Sequence, residues 1–213
     1  MRYAIFSDIH NHLQALKAVL HHARQQQIDH YFCLGDIGDL GKDHCVTIIR
    51  EMAIATVFGN WEVFVWHHYT PENQQWTLNL PPILKQDHFW LTHAAPLWPQ
   101  KVRTLEDLDP QYFWDTRSQL FPYLHYESAP LWQTLKKLND DQIPLLFHGH
   151  THIQMGWRKR NEHLEKVTDS IITLSDNDIM IIGVGSVGQP KDGPNPSYVI
   201  YDDETKTVEM VKI

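Results

Sequence analysis

The chain has 213 residues, of which 42% are hydrophobic and 21% charged, an ordinary globular composition that argues against disorder. Eighteen Lys and Arg against 26 Asp and Glu leave a net charge of −8, without the basic footprint of a nucleic-acid scaffold. The unusual number is histidine, with 15 copies beside only two cysteines, and histidine is the commonest metal ligand.

The N-terminal Met-Arg-Tyr-Ala-Ile-Phe-Ser-Asp has no basic region followed by an apolar stretch, so no secretory signal is expected. The longest apolar runs, such as Ile179–Ile182, fall far short of the about 20 residues that span a membrane. Cys33 and Cys45 form neither a CxxC pair nor a disulfide framework and read as packing residues in a reducing compartment. A cytoplasmic protein of one domain, residues 1–213, is the expectation.

Residues 2–7 read as a buried first strand. Asn11 then precedes Leu13, Leu16, Leu20 and Ala23, whose spacing predicts an amphipathic helix. Tyr31–Leu34 reads as a second strand, Cys45, Ile48, Ile49 and Met52 as a second helix, and Ala53–Phe58 as a third strand. This β-α-β-α-β order predicts an α/β layer fold with parallel strands. After a mixed segment at 61–82, Phe89–Thr92 reads as another strand. Residues 96–130 hold five prolines and seven aromatics without a clean period, and read as a loop-rich flap over a cleft. Leu131, Leu135 and Leu138 predict a helix, and Pro144–Phe147 a strand. Strands are then expected at Glu165–Leu174, Ile179–Val184, Tyr198–Asp202 and Val208–Ile213, with turns at 176–178 and 203–206.

Five of these strands end in ligand-type residues. Ser7-Asp8-Ile9-His10, Gly35-Asp36-Ile37-Gly38-Asp39, Gly59-Asn60-Trp61-Glu62, Thr92-His93-Ala94 and His148-Gly149-His150-Thr151-His152 each follow an apolar run. In α/β sheets the ligand crevice lies outside the carboxyl ends of the strands, so these segments are expected to converge. Mixed imidazole and oxygen donors suit Mn, Fe, Zn, Co or Ni better than Ca or Mg alone, and no thiolate suggests a structural zinc site. Asp39 is expected to support its loop, and His148 to be packed behind the ligands.

The ordered set D-x-H, G-D-x-x-D, G-N-x-E, H and G-H-x-H resembles the calcineurin-like metallophosphoesterase family. Gly185-Ser186-Val187-Gly188-Gln189-Pro190 is similar to the C-terminal part of its small bacterial phosphodiesterase branch. The resemblance implies a metallo-dependent phosphatase fold, with two mixed β-sheets packed face to face and flanking helices. It implies two divalent metal ions, manganese first. Asp8, His10 and His152 would hold one, Asn60, His93 and His150 the other, and Asp36 would bridge both. It implies hydrolysis of phosphate diesters or monoesters by a metal-bridging hydroxide near Asp36, on a small or nucleotide-like substrate touched by Asn11, His12 and Asn60. The charge of two divalent ions exceeds that of Asp8 and Asp36, so phosphate is attracted locally despite the net charge.

One position departs from the family pattern. Many members place His before the acid of G-N-H-D/E, and here that position is Trp61. Indole gives no proton at neutral pH. Glu62 is then expected to lose its usual partner, the family's His, diesters or good leaving groups to be preferred, and His12 to be the candidate substitute acid. Gly183-Val184-Gly185-Ser186-Val187-Gly188 matches G-x-G-x-x-G, but Pro190, Pro194 and Pro196 forbid the helix that a dinucleotide site needs. Readings left beside the phosphodiesterase are a dinucleoside polyphosphate hydrolase or protein phosphatase of the same fold, a non-catalytic protein-binding scaffold, and a His-rich metal store.

Overall fold

The computed structural model describes residues 1–213, the Pro110 side chain apart. Its first sheet is built from β1 (Arg2–Phe6), β2 (His30–Cys33), β3 (Ala55–Thr56), β9 (Ile171–Thr173), β11 (Ser197–Asp202) and β12 (Thr207–Lys212), in the order β3-β2-β1-β11-β12-β9. The second contains β4 (Ile83–Lys85), β5 (Phe89–Thr92), β6 (Leu145–His148), β7 (Gln154–Arg160), β8 (His163–Val167) and β10 (Asp178–Val184), in the order β4-β5-β6-β10-β7-β8. Each sheet has one parallel half. In the first it is β1, β2 and β3, and in the second β5, β6 and β10. The remaining pairs are antiparallel.

Alternation of side chains divides the core into layers. From β1, Tyr3 and Ile5 point between the sheets, where they meet Leu91, Phe147, Ile182 and Val199. Ala4 and Phe6 point to the outer face, where α1 (Leu13–Arg24) and α2 (His44–Glu51) lay down Leu16, Val19, Leu20, Val46 and Ile49. On the far side of the second sheet, Leu131, Leu135 and Leu138 of α6 (Ala129–Asp140) pack on Trp90, Leu146 and Ile181. The two mixed sheets with flanking helices agree with the expected fold.

Several expectations are corrected. The third strand is two residues long: the Val57 N–H still donates to the Cys33 carbonyl of β2, but that of Phe58 turns to the Pro81 carbonyl. The segment at 61–82 is helical, with α3 (Asn60–Val65) and α4 (Pro71–Leu78). The stretch at 165–174 is not one strand: Thr168, Asp169 and Ser170 interrupt it, and β8 and β9 lie in different sheets. Segment 96–130 contains α5 (Pro110–Leu120) and a cluster of its own, in which Phe113, Leu120 and Phe121 pack with Phe58 and Trp98.

Candidate metal centre

Every predicted ligand segment leaves the carboxyl end of a parallel strand. Asp8 and His10 follow β1, Asp36 follows β2, Asn60 follows β3, His93 follows β5, and His150 and His152 follow β6. These exits bend sharply. Asp8, His10, Asn11, Asp36, His150 and His152 all have φ between +46° and +64°, a region non-glycine residues occupy at a cost. Such conformations persist where surrounding contacts fix them, and here those contacts aim the side chains at one point. Backbone N–H groups of Asp8, His10 and Asn11 donate to the carbonyls of Gly35, Asp36 and Ile37, stitching the first exit to the second.

The donor atoms converge in two trios. Asp8, His10 and His152 each bring one ligand atom within 4.8 Å of the others, and so do Asp8, Asp36 and His93. His152 Nε2 is 3.2 Å from Asp8 Oδ1, and His93 Nε2 is 3.4 Å from Asp36 Oδ2. His93 Nε2 is also 3.0 Å from Asn60 Oδ1. His150 stands outside both trios, with its ring centroid 5.1 Å from that of His93.

Backbone carbonyls set the imidazole tautomers. His93 Nδ1 lies 2.7 Å from the Leu34 carbonyl, and His152 Nδ1 lies 2.7 Å from the Gln189 carbonyl. A carbonyl only accepts, so each Nδ1 carries a proton, and Nε2 is the ring nitrogen turned toward the carboxylates. This is how ligating histidines are oriented. Nε2 of His10, Nε2 of His150 and Oδ1 of Asp8 are buried without a hydrogen bond. A buried polar atom left unpaired costs about 1–3 kcal/mol. Divalent cations are partners that satisfy imidazole and carboxylate donors together, so the residues fit the group.

The charges agree with this fit. Burial opposes ionisation of Asp8, but the rings of His152, His93 and His10 outweigh it and hold the carboxyl below its usual range. Burial likewise opposes ionisation of Asp36, and His93 chiefly overrides it. Burial would lower His93, yet the Asp36 carboxylate raises it to about 9. Burial pushes His150 down to about 3 and lowers His10.

Glycine is required where backbones touch the carboxylates. A Cβ on Gly149 would stand 2.0 Å from Ser7 Oγ and 2.7 Å from Asp8 Oδ2. The loop after β10, which carries the G-x-G-x-x-G match, buttresses the site. Ser186 Oγ and the Gly188 N–H both donate to the Asp8 carbonyl, and Gln189 supplies the acceptor for His152. The roles of Gln189 and Leu34 had no signature in the sequence, because both act through main-chain oxygens.

The other predicted residues are placed as follows. Asn11 Oδ1 accepts the Cys45 N–H at 3.1 Å, so its side chain ties the first exit to α2. His12 is exposed at the start of α1. Asp39 Oδ1 accepts the Leu40 N–H, a contact inside its own loop. His148 is buried, with Nδ1 on the Gly149 carbonyl and its pKa lowered by burial to about 4. The backbone N–H of Trp61 donates to Asp36 Oδ1 at 2.7 Å, while its indole meets the His10 ring edge-on at 5.9 Å. Glu62 has backbone partners in place of the family's His. Its carboxylate is fully buried and accepts backbone N–H groups from Asp36, Ile37 and Gly59 at 2.7–2.8 Å.

Comparison with known proteins agrees with this geometry. Residues 1–206 match the calcineurin-like phosphoesterase superfamily domain. An uncharacterised protein of Methanocaldococcus jannaschii is 30% identical over 229 residues, covering 99% of this chain and 86% of that protein. The crystal structure of a metallophosphoesterase from Sphaerobacter thermophilus superposes with a TM-score of 0.74 at 23% identity, covering 100% of this chain and 88% of the other. A structure described as a novel archaeal phosphodiesterase superposes with a TM-score of 0.52 at 14% identity, each chain covered fully. With a family match over nearly its whole length and donor atoms gathered at the ends of its parallel strands, the chain belongs to the calcineurin-like phosphoesterase superfamily.

Proposed function

We propose that the protein is a dinuclear metal-dependent phosphoesterase that acts on phosphate diesters. Asp8, His10 and His152 hold one divalent ion, and Asn60, His93 and His150 the other, with Asp36 shared. The observation that supports this reading is that Asp36 Oδ2 lies between the two groups of donors, 3.8 Å from His10 Nε2 and 3.4 Å from His93 Nε2. Manganese is the first candidate from the family resemblance, and the mixed imidazole and oxygen donors also suit Fe, Zn, Co or Ni.

Two such ions supply Lewis-acid charge and an activated water at neutral pH. The chain's own residues do the rest. Leu34 and Gln189 hold two imidazoles in the ligating tautomer. Asp8 and Asp36, buried and held ionised by the imidazoles beside them, would offset part of the ions' charge. Trp61 offers no proton, so a leaving group that departs without protonation is favoured, which is the basis for preferring diesters and aryl esters.

Elemental analysis after loading with Mn, followed by a phosphoester panel, tests the proposal. About two ions per chain and faster turnover of bis-p-nitrophenyl phosphate than of alkyl monoesters are expected. Asp36→Ala should lower kcat/KM at least about 100-fold while the circular dichroism spectrum is retained, since it removes a shared ligand. An unchanged rate in that variant would overturn the assignment, and many ions per chain would favour a metal store.

A further inference from the structure

Segment 121–126 carries none of the metal-binding motifs, yet it lies directly on the cluster. Tyr123 stacks on His150 with ring centroids 4.5 Å and planes 17° apart, and still keeps 41% of its surface exposed. The rings continue outward. His125 meets Tyr123 edge-on at 5.6 Å and meets Tyr126, 51% exposed, at 4.9 Å. The backbone between them is anchored, because Leu124 is buried and its carbonyl accepts the Trp157 indole N–H at 2.7 Å. The result is an aromatic ledge that starts at a metal-ligating imidazole and ends in solvent.

Two lysines flank this ledge, although the chain carries a net charge of −8. Lys166 pairs across the sheet with Trp157, whose indole N–H reaches the Leu124 carbonyl inside the ledge. The backbone N–H of Lys191 donates to the His152 carbonyl at 2.9 Å, which sets Lys191 beside the cluster. After burial, the charges of these two lysines are what lower the His125 pKa. Both lysines are exposed. The carboxylates next to them in sequence are engaged elsewhere, Glu165 by Arg158 and Asp192 by Lys212. Within the ledge, His125 Nδ1 is buried without a hydrogen bond.

A flat ring suits an exposed aromatic face beside a fixed one, and an unpaired lysine serves a phosphate as a point charge. We propose that the ledge is a second subsite, which stacks the organic part of the substrate on Tyr123 and holds a second anionic group at Lys166 and Lys191. The substrate class is then a nucleotide with a phosphate additional to the one at the metal cluster. This rests on the reading that the scissile phosphate sits at Asp8 and Asp36, and it narrows that reading from phosphodiesters in general.

Binding to the full chain, stripped of metal by chelator, tests the ledge separately from hydrolysis. Calorimetric titration would compare adenosine 3′,5′-bisphosphate with adenosine. The bisphosphate is expected to bind about tenfold more tightly, and the Lys166→Ala, Lys191→Ala double variant to lose about that factor while adenosine binding is unchanged. Tyr123→Ala should weaken both ligands about fivefold or more, at the low end for base–aromatic stacking. Lys136→Ala, which removes the same charge from the outer side of α6, should change neither. The proposal is overturned if the double variant binds the bisphosphate like the wild type, or if Lys136→Ala weakens it equally. Because no metal is present, these outcomes stand apart from whether the loaded protein hydrolyses diesters.

Discussion

Glu62 ties together the two ligand loops that follow the paired strands β2 and β3. Its two oxygens accept N–H groups from Asp36 and Ile37 after β2 and from Gly59 after β3. Burial, and then the neighbouring Asp36 charge, push its carboxyl up to about 7, and the three N–H donors pull against that shift. Replacing one oxygen with an amide, as in Glu62→Gln, turns a donor toward a donor. A loss of about 1–3 kcal/mol in the urea unfolding free energy is expected, along with a lower metal content. A variant of wild-type stability would show that the loops are held by other means. Trp61, next to it, offers a different test. Its backbone amide is committed to Asp36, so a side-chain change leaves that hydrogen bond in place. Trp61→His should raise turnover of alkyl relative to aryl esters about tenfold or more, because a proton donor is gained where the poor leaving group needs one. An unchanged alkyl-to-aryl ratio would remove leaving-group protonation from the explanation.

Between elements, Asp43 plays the joining role. One of its oxygens, Oδ2, accepts from the Thr70 N–H and hydroxyl and from Asn73 Nδ2, at 2.7–2.9 Å, which ties the start of α2 to the start of α4. Asn73 in turn accepts from Arg50 Nε at 2.9 Å. Partial burial opposes ionisation of Asp43, but these donors win and lower its pKa from the ordinary 3.8. A depressed carboxyl contributes stability above its unfolded pKa and loses it as pH falls through the folded value. Asp43→Asn should therefore cost about 1 kcal/mol at pH 7 and nothing well below pH 3.8, where both side chains are neutral. Urea midpoints measured across that range would show the two curves merging in acid, and a constant gap would contradict the assignment.

Elements were legible in the sequence where apolar residues serve a sheet-wide layer. The first helix shows its stripe because Leu16, Leu20 and Ala23 all face one sheet. By contrast, α5 packs Phe113 and Leu120 onto a local aromatic cluster, so its apolar positions follow neighbours and not a period. Strand β7 stayed hidden for another reason. It carries Gln154, Arg158 and Arg160, and the arginines are held by Asp178 across the sheet, a pairing that no local pattern announces. The candidate ligands were legible because each follows a buried run. The carbonyls of Leu34 and Gln189 were not, since an acceptor that every residue owns carries no signal.

At the scale of the molecule, the donor set spans both sheets. Asp8, His10, Asp36 and Asn60 come from the exits of the first sheet, and His93, His150 and His152 from those of the second. Between the sheets lies a core of Ile5, Leu91, Phe147, Ile182 and Val199, which holds them face to face without help from the site. The protein should therefore fold without metal, and bound ions should add a clamp across one end of the sandwich. A ligand that binds only the folded chain stabilises it by about 2.7 kcal/mol at 100 times its Kd. For a chain of this size that corresponds to roughly 5–10 °C in Tm. Calorimetry with Mn against excess chelator should show this difference in the wild type. It should vanish in His152→Ala, which removes a donor from the second sheet and leaves the intersheet core untouched. If chelator left the wild-type Tm unchanged at saturating Mn, the cluster would not be joining the sheets through metal. If instead chelator unfolded the chain outright, the intersheet core would not suffice on its own.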